Sequence, residues 1–212
     1  MKLPRVILAD DHSLVAEALS HLIAPQFVVV AVVADGHALL DAATTLKPDL
    51  IVVDIAMPLL NGLEAGRRLK QQMPGVKLIF LTMNEDPELA IEAMRSGASG
   101  YVLKQAAASE LLQAMQAALW GKSYVTPQIA RGMQESFIRN PQGGSRHKSL
   151  TPRQRQVAQL LAEGKSMKEA ACVLRVTPRT VAFHKYRAMQ DMGFKTNADF
   201  IHFAITNRIV VR

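Results

Sequence analysis

The chain has 212 residues, 49% of them hydrophobic, with a formal net charge of +7 and one cysteine. That length suits one or two domains with a sizeable core in at least one, and a mean hydropathy of +0.09 reads as soluble and globular. A lone Cys172 excludes an intramolecular disulfide and a thiolate metal cluster. No apolar stretch approaches the roughly 18 residues of a bilayer span, and Met1-Lys2-Leu3-Pro4 lacks a secretory apolar core.

In chain order, apolar runs rich in β-branched residues predict strands over 5–9, 28–34, 49–53, 77–82 and 100–103. Helical patterns alternate with them over 14–23, 36–46, 62–72, 87–95 and 108–120. Asp35-Gly36, Lys47-Pro48, Met73-Pro74-Gly75 and Ser96-Gly97 punctuate the units as stops and turns. Such alternation predicts a doubly wound α/β fold, a five-stranded parallel sheet buried between two layers of helices. In such a sheet every strand ends on the same edge, where ligands bind. Asp10-Asp11, Asp54, Thr82 and Lys104 each follow an apolar run, so the fold gathers three carboxylates, a hydroxyl and an ammonium there. Clustered carboxylates repel unless a divalent cation or a lysine offsets them. The edge therefore suits a hard metal and phosphoryl chemistry on one acid.

The second half differs in charge. Residues 1–125 carry 10 Lys/Arg against 13 Asp/Glu, whereas residues 126–212 carry 15 against 5. A basic segment suits a polyanion such as DNA or an acidic membrane surface, or is a solvated basic face; fold context has to choose. Residues 122–147 read as a linker, partly helical because Thr126 to Ile138 can hold a helix, and the glycine-rich 140–149 reads as a mobile tether. Beyond it the pattern is wholly helical. Thr151-Pro152 starts one helix with an apolar face of Val157, Leu160 and Leu161; Ser166 caps a second over Met167 to Leu174. Thr177-Pro178 opens a third running to about Asp191, and Asn197 is placed as the cap of a fourth. Two short helices joined by Arg175-Val176-Thr177 have helix-turn-helix spacing. Cys172, among Ala170, Ala171, Val173 and Leu174, reads as a buried small thiol.

These residues carry two family resemblances. Asp10-Asp11, Asp54 with Met57-Pro58 and Gly62, Thr82, and Gly97-Ala98-Ser99-Gly100-Tyr101-Val102-Leu103-Lys104 resemble the flavodoxin-like receiver domain of two-component response regulators, the NarL/FixJ class in particular. The resemblance covers 1–121 and implies a cytoplasmic protein phosphorylated by a sensor histidine kinase and dimeric when phosphorylated. Asp54, central between Asp10/Asp11 and Lys104, is the best candidate for the phospho-acceptor. Mg²⁺ would be held by Asp10, Asp11 and Asp54 with the backbone carbonyl of Ala56, shielding the incoming phosphoryl charge. Lys104 would pair with one phosphoryl oxygen and Thr82 would hydrogen-bond another. Tyr101 stands where the family has an aromatic whose rotamer follows the threonine; a half-buried tyrosine with its hydroxyl in water is the other reading. Met57-Pro58 is expected to fix the loop after Asp54, and Gly62 to relieve a tight turn.

Leu150-Thr151-Pro152-Arg153-Gln154-Arg155-Gln156-Val157, Leu161-Ala162-Glu163-Gly164-Lys165-Ser166 and Thr180-Val181-x-x-His184 resemble the LuxR-type helix-turn-helix over 148–212. That resemblance implies an all-α four-helix domain binding double-stranded DNA as a homodimer, with the helix from Pro178 in the major groove. Arg179, Thr180, Lys185 and Arg187 suit phosphates or a guanine edge, and Tyr186 can reach phosphate through its hydroxyl. Ala182 and Phe183, where the family commonly has a polar residue, can offer thymine methyls only apolar contact. Val181 and Met189 read as core, and His184 as a phosphate contact or a packing residue. A partner-contacting helix with weakened DNA specificity is the competing reading. Two others remain: an enzyme turning over on Asp54, such as a phosphatase, and a regulator working without phosphorylation.

Overall fold

A computed structural model describes residues 2–139, 150–207 and 209–210. The chain divides into two compact units, Met1–Pro141 and Gln142–Arg212. The tether expected over 140–149 lies outside the described residues.

In the first unit, strands β1 (Arg5–Ala9), β2 (Val28–Val33), β3 (Leu50–Asp54), β4 (Lys77–Thr82) and β5 (Gly100–Leu103) alternate with helices α1 (Ser13–Ile23), α2 (Gly36–Leu46), α3 (Gly62–Gln72), α4 (Pro87–Arg95) and α5 (Ala107–Leu119). The sheet runs β2-β1-β3-β4-β5-β6, with every pair parallel. The expected five-stranded sheet is therefore corrected to six. Strand β6 (Tyr124–Val125) pairs Gly100 with Tyr124 and Tyr101 with Val125, and α6 (Pro127–Arg139) follows it. Two residues are too short to show a strand period, so the start of the expected linker becomes a sheet edge, while the helix expected over 126–138 is present as α6.

Strands β1, β3, β4 and β5 are buried on both faces almost throughout, as continuous apolar runs require. One core layer packs Ile7, Leu39, Ile51, Leu69, Phe80 and Tyr101; the other packs Leu8, Ile23, Val52, Leu81 and Leu111. Edge strand β2 leaves Val28 and Val32 exposed. Strand order reverses between β1 and β3, which makes their ends the crevice where a ligand binds.

The second unit holds α7 (Pro152–Ala162), α8 (Met167–Leu174), α9 (Pro178–Met192) and α10 (Asn197–Thr206). Thr151 and Ser166 form capping boxes with Gln154 and Glu169, and Thr177 caps α9 through Thr180 N–H. The cap of α10 is Thr196, bonded reciprocally to Asp199, rather than Asn197. Both residue types cap well, but only Thr196 has its acidic partner three positions on. The turn between α8 and α9 places Arg175 at φ 52, and Gly193 ends α9 at φ 77. Two small cores form: Ala158, Ala188, Phe200 and Ala204, and Val157, Leu160, Ala170 and Val181. Cys172 is exposed, correcting the expected buried thiol. Ala170 and Ala171 take the inward face of α8, and one more residue of helical rotation turns Cys172 outward. Among the described residues no helix is long and apolar enough to cross a membrane.

Candidate functional site

Register places the acids. Ala9 pairs with Val53, so Asp10 and Asp54 emerge side by side; Thr82 pairs with Leu103, which puts Lys104 just past β4. Lys104 spans that width: its Nζ lies 2.8 Å from Asp54 Oδ2 and 2.7 Å from Asp10 Oδ2. Ala56 N–H donates to Asp54 Oδ1 at 3.1 Å, so a donor holds each carboxylate oxygen. Asp10 Oδ2 is buried with no well-angled hydrogen bond, and its contact with Lys104 is an ion pair only. The sequence therefore located Asp10, Asp11, Asp54, Thr82 and Lys104 correctly as neighbours on one sheet edge.

The electrostatics follow from burial. Asp54 is 2% exposed. Burial pushes its carboxyl above the usual carboxylate value, Lys104 offsets only part of that, and Asp10 adds to it. Burial alone would lower the Lys104 ammonium, but Asp54 and Asp10 outweigh it and hold Lys104 above the usual lysine value. A raised Asp54 favours the neutral acid and a raised Lys104 favours the ion pair. Lys104 touches two carboxylates whereas Asp54 touches one ammonium, so the cation is the fixed partner. Three carboxylates facing one ammonium leave an excess of negative charge.

That excess fits a divalent cation. Asp10, Asp11, His12 and Asp54 each bring a ligand atom within 4.8 Å of the others, and the three acids supply the oxygens Mg²⁺ prefers. His12 is the residue the sequence reading overlooked. Its N–H donates to Asp10 Oδ1 at 2.9 Å, and its Nδ1 lies 3.2 Å from Asp10 Oδ1 and 3.1 Å from Asp11 Oδ1. Adjacency to Asp10-Asp11 was the only signal available for it.

Thr82 and Tyr101 meet at a third residue. Asn84 N–H donates to Thr82 Oγ1 at 3.0 Å, and Tyr101 Oη donates to the Asn84 carbonyl at 2.9 Å. Tyr101 is wholly buried, so its hydroxyl sits on a backbone oxygen rather than in water. Gly62 needs a different explanation from the expected one. A Cβ there would stand 1.9 Å from the Asp54 carbonyl oxygen, so Gly62 lets α3 close onto the strand end. The left-handed residue of that loop is Leu59, at φ 63.

On α9, Arg179, Phe183, Tyr186 and Arg187 are exposed, while Thr180, Ala182 and His184 are half-buried. Val181 and Met189 lie in the core, as their spacing predicts. Lys185, expected on the open face, is only 4% exposed. It follows Val181 by four residues and precedes Ala188 and Met189, so its stem lies on the core stripe. Burial accordingly lowers its pKa, and its Nζ reaches 5.0 Å from the Tyr186 ring centre. Arg187 pairs with Asp191 at 3.1 Å. Thr180 Oγ1 lies 2.9 Å from Thr177 Oγ1 within the cap. Burial, then the nearby Arg153, lowers the His184 pKa. Arg153 also donates to the Leu174 carbonyl at 3.1 Å, tying α7 to the end of α8.

Comparison with known proteins matches residues 6–116 to the response regulator receiver domain and residues 148–204 to the bacterial regulatory proteins of the luxR family. The oxygen regulatory protein NreC of Staphylococcus aureus is 30% identical over 214 residues, covering 97% of this chain and 99% of that protein. A structure of RcsB from Salmonella enterica serovar Typhimurium, bound to promoter rprA with the phosphomimetic BeF3−, superposes with a TM-score of 0.72 at 26% identity, covering 96% of this chain and 99% of that one. A structure of two RcsB dimers on two parallel DNAs gives a TM-score of 0.61 at 26% identity over 97% and 99% of the chains.

Proposed function

The chain belongs to the response regulators that join a receiver domain to a LuxR-family DNA-binding domain, and on that premise we propose that a sensor histidine kinase phosphorylates Asp54 to control dimerisation and promoter binding. The observation that carries this reading is Lys104 Nζ, 2.8 Å from Asp54 Oδ2 at the β1/β3 switch point with Asp10 and Asp11 alongside. An Asp54 oxygen attacks the phosphorus of a kinase phosphohistidine; the P–N bond breaks, an acyl phosphate forms, and the imidazole leaves with a proton from solvent. Asp10, Asp11, Asp54 and the Ala56 carbonyl would hold Mg²⁺, which would neutralise charge on the transferring group. Lys104 turns from the carboxylates to a phosphoryl oxygen, and the Thr82 hydroxyl donates to another. Tyr101 follows Thr82 through Asn84.

Phosphorylated protein pairs as a homodimer in the cytoplasm and lays α9 in the major groove of double-stranded DNA, using Arg179, Thr180, Ala182, Phe183, His184, Lys185, Tyr186 and Arg187. The exposure of Arg179, Phe183, Tyr186 and Arg187 supports that face; Lys185 takes part through its ammonium alone. Both matched families are regulators, so a phosphatase turning over on Asp54 is set aside.

The test is incubation with acetyl phosphate and Mg²⁺, with the product located by mass spectrometry. Wild type should gain one acid-labile phosphoryl group on Asp54, and Asp54→Ala none. A phosphoryl group located on another residue, or labelling that needs no Mg²⁺, would contradict the assignment.

A further inference from the structure

Helix α6 packs on α4 along one stripe. Ile129 is 1% exposed, Met133 packs against the sheet core, and Gly132 meets the ring of Pro87 so closely that a Cβ would stand 2.6 Å from its Cγ. Two hydrogen bonds flank that contact: Ser136 Oγ to Glu88 Oε1, and Gln128 Nε2 to Glu85 Oε2 at 2.9 Å. These three partners, Glu85, Pro87 and Glu88, lie where the chain enters α4.

The first residue before α6 is held from the other side. Thr126 N–H donates to the Tyr101 carbonyl at 3.0 Å, and its Oγ1 accepts from Leu103 N–H at 3.1 Å while donating to Glu110 at 2.7 Å. Tyr101 and Leu103 bracket the end of the strand that delivers Lys104. The base of α6 is thus fixed to β5, and its body rests on the start of α4.

The two supports differ in how they reach Thr82: the Thr126 bonds go to the backbone of β5, whereas the α4 side is joined to the Thr82 hydroxyl itself. Thr82 Oγ1 accepts from Asn84 N–H, Asn84 Oδ1 accepts from Asp86 N–H at 2.8 Å, and Asp86 caps α4 by accepting from Glu88 N–H at 3.0 Å. Glu85 and Glu88, the hydrogen-bond partners of α6, stand inside that chain.

We infer that α6 is the output element of the receiver, pivoting at Thr126 and coming off α4 when Thr82 turns toward the phosphoryl group. This rests on the phosphorylation of Asp54 proposed above. Displacing the 84–88 segment moves both acceptors and the Pro87 surface at once, whereas the Thr126 bonds stay with β5. The contact is thereby a two-state joint whose balance the phosphoryl group shifts.

Hydrogen exchange on the full chain, with phosphoryl stoichiometry measured on the same sample, tests it. On treatment with acetyl phosphate and Mg²⁺ the amides of 129–138 should exchange several-fold faster, while those of 101–103 keep their protection. Unphosphorylated Gly132→Ala, which forces α6 off the Pro87 ring, should already exchange like phosphorylated wild type. Should that variant not fold, Gln128→Ala with Ser136→Ala removes only the two hydrogen bonds and should give an intermediate rate. Phosphoryl uptake with unchanged exchange over 129–138 would overturn the inference, as would variants that exchange at the wild-type rate. Absence of uptake would overturn the phosphorylation reading, and this inference with it.

Discussion

The two units handle charge in opposite ways. The receiver buries Asp10 and Asp54 against one lysine, whereas α9 turns Arg179 and Arg187 to solvent. Buried like charges cost stability, and that cost is relieved when a cation or phosphoryl group rearranges the pocket. Exposed cations cost little on their own and act when a polyanion arrives, with strong salt dependence. One unit is poised by internal electrostatic tension; the other is an open surface awaiting a partner. Lys185 crosses the divide, being a cation of the DNA-binding unit whose stem is buried as if it were core.

The largest effect should fall on the pocket side. Gly62→Ala drives a Cβ into the Asp54 carbonyl and should cost about 3 kcal/mol in urea unfolding of the receiver. A loss under about 0.5 kcal/mol would mean that α3 can back away and does not hold the strand end. On the open surface, Phe183→Ala should barely change stability, yet lose about 2 kcal/mol of discrimination at one base position in competition binding. Unchanged selection by a folded variant would remove Phe183 from the readout.

Lys185 tests where the division falls. Lys185→Ala should destabilise the second unit by about 1–2 kcal/mol through lost stem packing, and Lys185→Met should not. Burial lowers the Lys185 pKa, so the fold disfavours its charge, and Lys185→Met removes that cost. If Lys185→Met instead weakens DNA binding more than Arg179→Ala does, the ammonium belongs to the open surface.

The smallest effect is a gain. Asp54 binds its proton more tightly folded than unfolded, because its pKa is raised, so ionising it costs stability above that pKa. Asp54→Asn should therefore be slightly more stable than wild type at pH 7 in urea unfolding. The difference should vanish as pH falls through the Asp54 pKa, where protonation does the same to wild type. A gain that grows toward low pH would reverse the sign.

Much of the receiver was readable because one rule fixes it. A parallel sheet sends every strand end to one edge, so Asp10, Asp54, Thr82 and Lys104 could be grouped before any distance was known. Backbone partners carry no such sequence signal. Asn84 joins Thr82 to Tyr101 through its own N–H and carbonyl, which any residue possesses. Strand β6 has only Tyr124 and Val125, too few for alternation to register. The burial of Lys185 is implicit in its four-residue spacing from Val181, but a lysine at that position signals an exposed face by its type. The burial of Gly62 against Asp54 depends on how closely α3 approaches the sheet, a tertiary distance with no local cause.

The most direct test joins the two units in one experiment. Affinity for a fixed promoter duplex is measured on wild type and Asp54→Ala, each before and after acetyl phosphate and Mg²⁺, at one salt concentration. The account predicts that affinity rises in wild type, in proportion to phosphoryl on Asp54, and stays flat in Asp54→Ala. An equal rise in both proteins, or a phosphorylated wild type that binds no more tightly, would contradict it.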